Sequence, residues 1–431
     1  MSDTPRPKRL LDDCFLHDTQ RLRHEQAIEI LRSRVAPVTA HERVAIVDIA
    51  GRVLAEPAVA VRPVPAHTNS AVDGYGFASA DYGAAGARLP VSARVAAGHP
   101  LEGKAPPATA VRIFTGAVLP EGIDTVAMQE DCETAAGENG AMTVSIPGGL
   151  KRGANVRRTG EDVAAGETLL EPGAMLRPQD AAALASIGLA DVVCRKRLSV
   201  AIISTGDEVI RAGSRPLAPG EVYDANAPML SGLIGAAGAD VHDLGVWPDD
   251  AAEIKRRLAD AARHYDVLIT SGGASRGEED HMVEAMDALG KRHMWQLAIK
   301  PGRPMSFGQI GDTVIIGLPG NPVAVFVCYL MYVFPVLRRL GGAPWPEPRR
   351  YMLPAAFEIT KRKTGRREFF RGWLVGNGAA TAVDKYARDG SGLITGLRAA
   401  TGLIEIGEDV TAVAPGDPVA FIPFSEFGIP A

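Results

Sequence analysis

The 431-residue sequence predicts a multidomain α/β plus all-β protein. The chain is too long for one ordinary hydrophobic core, so two to four domains are expected. Residues 198–340 alternate apolar strand patterns with helical patterns, as in an open α/β sheet. Residues 61–147 and the stretch beyond residue 348 instead carry short apolar runs broken by Gly and Pro, the pattern of compact β modules.

The elements follow in order. Residues 1–20 are polar and charged and lack the apolar stretch of a secretion signal, so cytoplasmic residence is the expectation. Ile28, Leu31 and Val35 fall on one face of a helix over 21–35, which needs a partner surface. The β module over 61–147 follows. A helix over 177–187 returns with Pro178 in its first turn, so the module reads as an insertion in a mixed helical region. Strands are predicted at 198–204, 240–246, 266–270, 295–299 and 313–316, with helices at 227–237, 251–263 and 281–289. The longest apolar run, 323–337, is too short for a membrane span and reads as a buried helix, with Asn321 as its cap and Pro322 at its first position. Trp345-Pro346-Glu347-Pro348 is a linker, and a closing β domain follows.

Composition narrows the function classes. Lys and Arg number 46 against 51 Asp and Glu, a formal charge of -5, which argues against general affinity for nucleic acid or anionic membrane. Any anion site must be local. Cys14, Cys132, Cys194 and Cys328 form no Cys-x-x-Cys pair and the histidines form no His-Glu-x-x-His motif, so neither structural zinc nor a disulfide framework is expected.

In an open α/β sheet, ligands bind beyond the carboxyl ends of the strands. The loops there are polar as a set. They are Thr205-Gly206-Asp207-Glu208, Pro248-Asp249-Asp250, Ser271-Gly272-Gly273-Ala274-Ser275-Arg276-Gly277 with Glu278, Glu279 and Asp280, Lys300-Pro301-Gly302-Arg303-Pro304, and Leu318-Pro319-Gly320-Asn321-Pro322. Small residues after a buried strand let backbone N–H groups approach an anion, carboxylates suit Mg²⁺, and Lys300 and Arg303 neutralise an oxyanion. Neither the P-loop nor the Rossmann glycine spacing is present. Asp249-Asp250 fits a helix N-cap equally well, and Glu278 with Glu279 fits first-turn helix charge. In the β region, Asp73-Gly74, Thr115-Gly116 and Arg158-Thr159-Gly160-Glu161-Asp162 fit turns or caps as readily as a site.

Seven segments occur in one order: Asn69-Ser70-Ala71-Val72-Asp73-Gly74-Tyr75, Phe114-Thr115-Gly116-Ala117, Gly160-Glu161-Asp162, Ser204-Thr205-Gly206-Asp207-Glu208, Ser271-Gly272-Gly273, Ala298-Ile299-Lys300-Pro301-Gly302 and Gly317-Leu318-Pro319-Gly320-Asn321-Pro322. With them the chain resembles the molybdopterin molybdenumtransferases, the MoeA and gephyrin E-domain family, from about residue 24 to its end. The resemblance implies a MogA-like α/β molybdopterin-binding domain at 195–343, an elongated N-terminal dimerisation domain at 21–60 and 155–194, an inserted β domain at 61–154 and a C-terminal β-barrel domain at 349–431.

It also implies molybdenum cofactor biosynthesis: insertion of molybdenum from molybdate into adenylylated molybdopterin with release of AMP, assisted by Mg²⁺. The implied assembly is a homodimer whose cleft lies between the β domain of one subunit and the α/β and C-terminal domains of the other. Molybdopterin adenylyltransferase and apo-molybdoenzymes are the implied protein partners. By matching motif positions, Asp73, Thr115, Asp162, Glu208, Asp249, Asp280 and Lys300 are the implied catalytic set. Asp207, Glu208, Asp249 and Asp280 are metal candidates. Ser271, Gly272, Gly273, Ser275, Gly277, Arg303, Pro319, Gly320, Asn321, Pro322, Arg371 and Ser391 are the binding candidates. Gln296 stands where several members carry a cation, and Arg276 is the expected compensation. Two other functions compete: molybdopterin adenylyltransferase, whose enzymes need little beyond the α/β unit, and a non-catalytic cofactor-carrying scaffold.

Overall fold

The computed structural model describes residues 21–136, 141–272 and 281–430. Its centre is a six-stranded sheet whose strands lie in the order Asp240–Trp247, Ser199–Thr205, Val267–Ser271, Thr313–Leu318, Pro304–Ile310, Lys291–Gln296. The first four run parallel, Pro304–Ile310 runs antiparallel to them, and Lys291–Gln296 is in turn antiparallel to Pro304–Ile310. Helices Asn226–Ala236, Ala251–Ala261 and His281–Leu289 occupy the predicted intervals.

The strand predicted at 295–299 is not a single strand. The edge strand ends at Gln296, and a separate two-residue strand, Ile299–Lys300, leaves the sheet. It pairs in parallel with the C-terminal strand Arg367–Val375, placing Lys300 opposite Glu368. A period-2 pattern cannot show that break, because apolar alternation runs on through Leu297 and Ile299 while the backbone changes partners.

The apolar run is a buried helix, Pro322–Cys328, continued by a π turn, Tyr329–Val333, and by Phe334–Leu340. In its most apolar window 89% is buried inside the fold, which explains its mean hydropathy of 1.7 without a membrane. Pro322 takes the first helical position, as expected. Asn321 occupies the cap position, but its side chain makes no capping bond, so that expectation is corrected.

This helix lies in a core shared with Ile202, Ile269 and Ile316 of the sheet and with Phe369, Phe424 and Phe427 of the C-terminal region. Phe326 packs edge-on to Phe424 at 5.0 Å and Phe334 to Phe427 at 5.4 Å. The N-terminal helix His24–Arg34 joins the same core through Ala27 and Leu31. It therefore packs on the α/β region, not with the separate core of Val44, Ile49, Leu54, Leu176 and Leu184.

In the C-terminal region, Arg367–Val375 pairs with Gly402–Ile406, then Pro418–Pro423, then Tyr351–Pro354, while Ala382–Lys385 lies on its other side. A bridge from Ala355 to Val383 joins the two ends into a barrel around Val383, Ile404 and Phe421. The inserted β module is a six-stranded sheet that includes Gly74–Phe77, Ala110–Ile113 and Ala87–Val95. The described cysteines, Cys132, Cys194 and Cys328, are free thiols.

Candidate active site

A cavity of about 560 Å³ opens where the strand-end loops of the central sheet meet the C-terminal barrel. Lys300, Arg303, Pro319, Gly320, Asn321, Arg371 and Ser391 line it, as does Gly272. A larger cavity of about 870 Å³ lies between helix His24–Arg34 and the barrel, but holds none of the strand-end loop residues. The smaller one is therefore the better candidate on chemical grounds.

Lys300 reaches the cavity by the strand exchange described above. Its Nζ lies 3.8 Å from Glu368 Oε2 and 4.0 Å from Asp389 Oδ2. Glu368 is buried and also faces Arg366, 2.8 Å away, and Arg362. Neither carboxylate was legible as a site residue, because each reaches Lys300 through a long-range pairing and not through spacing in the chain.

Arg371 is a clamp. It donates from Nη1 to the Leu393 carbonyl and from Nη2 to that of Arg388, both at 2.8 Å, and its guanidinium stacks on Tyr386. The turn so held carries Ser391, whose carbonyl accepts the Val323 N–H at 3.0 Å. Pro322 itself only starts the helix.

The turn at Gly320 is fixed from below. Asn226 Nδ2 donates to the Gly320 carbonyl at 2.8 Å. The buried Asp224 accepts from the N–H groups of Asn226 and Ala227, both at 3.0 Å, and from Ser204 Oγ at 2.5 Å. Arg211 completes its shell at 3.1 Å. Sequence reading missed Asp224 and Asn226. Their signal is a polar pair opening an otherwise apolar helix.

Ser271 ends its strand buried, and Gly272 follows at φ +101°, where a Cβ would press on Thr205 Oγ1. Glycine is thus required both by conformation and by contact. Gly273, Ser275, Gly277 and Asp280, with Arg276, lie outside the described residues.

Asp207 and Glu208 are exposed on the first loop and Asp249 on the second. The two loops abut, since the Asp249 N–H donates to Asp207 Oδ1 at 3.3 Å. Asp250 caps helix Ala251–Ala261 by accepting the Glu253 N–H at 2.8 Å, so the cap reading belongs to Asp250 and leaves Asp249 free. Among the described residues no three His, Cys, Asp or Glu side chains form a metal cage.

Asp73 and Thr115 meet in the inserted β region. Asp73 Oδ1 accepts from the Thr115 N–H and from its hydroxyl, both at 2.8 Å. These bonds, the backbone one first, hold the Asp73 carboxyl below its ordinary range, with Arg112 assisting. Asp162 sits on a neighbouring loop, its N–H on the Val64 carbonyl at 3.0 Å. The pairing of Asn69–Ser70 with Val156–Arg157 brings the two segments together. Among the described residues, no hydrogen bond or ion pair links this group to Lys300 or to the acids of the α/β loops.

Comparison with known proteins covers nearly all of the chain. Residues 22–188 match the MoeA N-terminal region, domains I and II. Residues 201–339 match a probable molybdopterin binding domain, and 352–424 the MoeA C-terminal region, domain IV. A molybdopterin molybdenumtransferase of Haemophilus influenzae is 36% identical over 88% of this chain and 92% of its own length. The molybdopterin molybdenumtransferase 2 of Mycobacterium tuberculosis is 34% identical over 91% and 96%. Gephyrin of Dictyostelium discoideum is 31% identical over 74% of this chain and 49% of its own length. The crystal structure of a molybdopterin biosynthesis MoeA protein from Pyrococcus horikoshii superposes with a TM-score of 0.80 at 28% identity, covering 94% of this chain and all of that one.

Proposed function

The chain belongs to the MoeA family of molybdopterin molybdenumtransferases, and from that premise we propose that it inserts molybdenum from molybdate into adenylylated molybdopterin, releasing AMP. It is a transferase of molybdenum cofactor biosynthesis. The observation that carries the specific reading is the cavity at the strand ends, which Lys300 and Arg303 line together with Pro319, Gly320 and Asn321.

Molybdate and the pyrophosphate of an adenylylated pterin are both oxyanions, and they suit a recess with two cations. Lys300 is pre-aimed by Glu368 and Asp389, so its ammonium meets the anion without a search. As the phosphoanhydride opens, Lys300 and Arg303 neutralise the charge that develops on the departing AMP. Arg371 keeps the Ser391 turn in place through the Leu393 and Arg388 carbonyls.

Asp207, Glu208 and Asp249 are exposed all-oxygen donors that do not by themselves form a cage, so they would hold Mg²⁺ only together with substrate oxygens, with Asp280 as a further donor of the same class. The ion would supply Lewis-acid neutralisation of phosphate oxygens, with substrate and water completing its shell. The four domains implied by the resemblance stand as part of this proposal, with the exception that helix His24–Arg34 packs on the α/β region. So does the homodimer, in which the Asp73, Thr115 and Asp162 group of one subunit faces the pocket of the other. Its support is the lack of any link between those groups among the described residues.

Supplying adenylylated molybdopterin, molybdate and Mg²⁺ and following AMP tests the reading. AMP release that depends on molybdate supports it. Adenylylation of molybdopterin by ATP without molybdate insertion would replace it with an adenylyltransferase. Full turnover in both Asp280→Ala and Glu208→Ala would mean that the site is misplaced.

A further inference from the structure

We propose that Arg94 and Arg112, gathered around Phe114 beside the Asp73–Thr115 pair, form a second anion subsite that receives a phosphate group. The two arginines are direct cross-strand partners in the parallel pairing of Ala87–Val95 with Ala110–Ile113. They therefore lie side by side on one face of the sheet. Their guanidinium carbons lie 4.6 Å and 4.7 Å from the Phe114 ring centroid. Arg112 also lies 5.0 Å from the ring of Tyr75.

Like charges set opposite each other on neighbouring strands destabilise a sheet. Among the described residues no ion pair in the β module removes that cost, and Asp73, whose carboxyl Arg112 helps to hold low, offsets it only in part. The module's ion pairs among the described residues are Lys104 with Glu121 and Arg152 with Asp124, and neither arginine takes part. The hydrogen bonds of the nearby carboxylates go elsewhere, those of Asp73 to both Thr115 donors and that of Glu130 to Gln129 Nε2, although Arg112 acts on Asp73 through its charge. Arg112 is half-buried and anchored, donating to the Gly74 carbonyl at 2.9 Å and to Gln129 Oε1. Arg94 is exposed, and among the described residues its side chain has a stacking contact with Phe114 and no hydrogen bond or ion pair. One fixed and one adaptable guanidinium around an aromatic ring suit bidentate capture of a doubly charged oxyanion.

The position matters as much as the charge. Phe114 precedes Thr115, whose hydroxyl and N–H hold Asp73, so a phosphate seated between the arginines adjoins that pair. Under the proposed function, the phosphate would be that of AMP or of its precursor. The binding itself does not depend on that reading.

The test is calorimetric titration of the full chain with AMP and, separately, with inorganic phosphate. The Lys300→Ala background is used so that the principal pocket contributes less. Arg94→Ala is expected to weaken AMP binding about tenfold, the worth of one charge-assisted contact, with Arg94→Lys recovering part of the loss. Phosphate that competes with AMP only when Arg94 is present identifies the phosphate group as the ligand. Equal affinities with and without Arg94, or no binding in the Lys300→Ala background, would overturn the subsite. Arg94-dependent binding in a protein without molybdate-dependent turnover would keep the subsite and reject the activity. Normal turnover with Arg94-independent binding would do the reverse.

Discussion

Lys300 stands in register with Glu368 because two residues of the α/β region, Ile299 and Lys300, pair with strand Arg367–Val375 of the C-terminal barrel. The cation of the pocket is thus held by a domain other than the one that encodes its loop. Its Nζ lies 3.8 Å from the Glu368 carboxylate, which is itself buried among Arg362 and Arg366. Lys300→Ala should lower molybdate-dependent AMP release by about 100-fold or more, the scale of losing one preorganised electrostatic contact. The melting temperature should hardly move, since the Lys300 side chain is 40% exposed. Quenched-flow AMP release and thermal unfolding of the same sample check both halves.

If the two groups of functional residues meet only across a dimer, an Asp73→Asn chain and a Lys300→Ala chain should complement each other. Co-expression with random pairing makes half of the dimers mixed, each with one intact site of two. Activity should return to roughly a quarter of the wild-type value, from two nearly inactive parents. No recovery in purified mixed dimers would place both groups in one subunit.

The Asp73 carboxyl is held low first by the Thr115 N–H and second by its hydroxyl. A depressed pKa means that the carboxylate survives to lower pH. Thr115→Val removes the hydroxyl but keeps the N–H, so the pKa should rise part of the way. The acid limb of the AMP-release profile should then move to higher pH, while Thr115→Ser keeps it in place. An unmoved limb in the valine variant would show that Asp73 ionisation does not govern the rate.

His24 is buried in the shared core, with Nδ1 2.9 Å from Tyr332 Oη and its ring edge-on to Phe369. Burial, aided by Arg367 and Arg350, lowers its pKa from 6.5 to about 3. Between those values the unfolded chain binds a proton that the folded chain refuses. Stability is therefore intact above about pH 6.5 and should fall as pH drops toward 3, by at most about 1.4 kcal/mol per unit from this residue. Urea titrations at pH 7 and pH 5 should show the loss, and His24→Phe should flatten that part of the dependence.

Gly302 has φ +102°, and a Cβ there would overlap Cys328 Sγ in the buried helix. Gly302→Ala should cost about 1–3 kcal/mol by overpacking and displace the Lys300–Arg303 loop. The expected signature is a lower melting temperature with a raised KM for molybdate, more than Cys328→Ala produces.

Much of this molecule was readable from local pattern. The 3.6-residue period gave helices Pro178–Ser186, Asn226–Ala236, Ala251–Ala261 and His281–Leu289 within a few residues. The rule that ligands gather at strand ends picked out Lys300, Arg303 and Gly320, which do line one cavity. Asp250 shows the limit of such reading. As a sequence it shared two roles with Asp249, and only the bond to the Glu253 N–H assigns the cap to one of them.

By itself, the sequence determined the order of the elements, the burial of the long apolar helix and the identity of the polar loops. These follow from side-chain periodicity and from the backbone preferences of Gly and Pro, which act over a few residues. The tertiary structure alone decided that Lys300 faces Glu368 and Asp389, that Asn226 holds Gly320, and that Ala355 meets Val383 to close the barrel. It also set Arg94 beside Arg112. Each of these joins segments far apart in the chain. Strand register and domain docking select such partners through the packing of the whole, and no short window of sequence contains that choice.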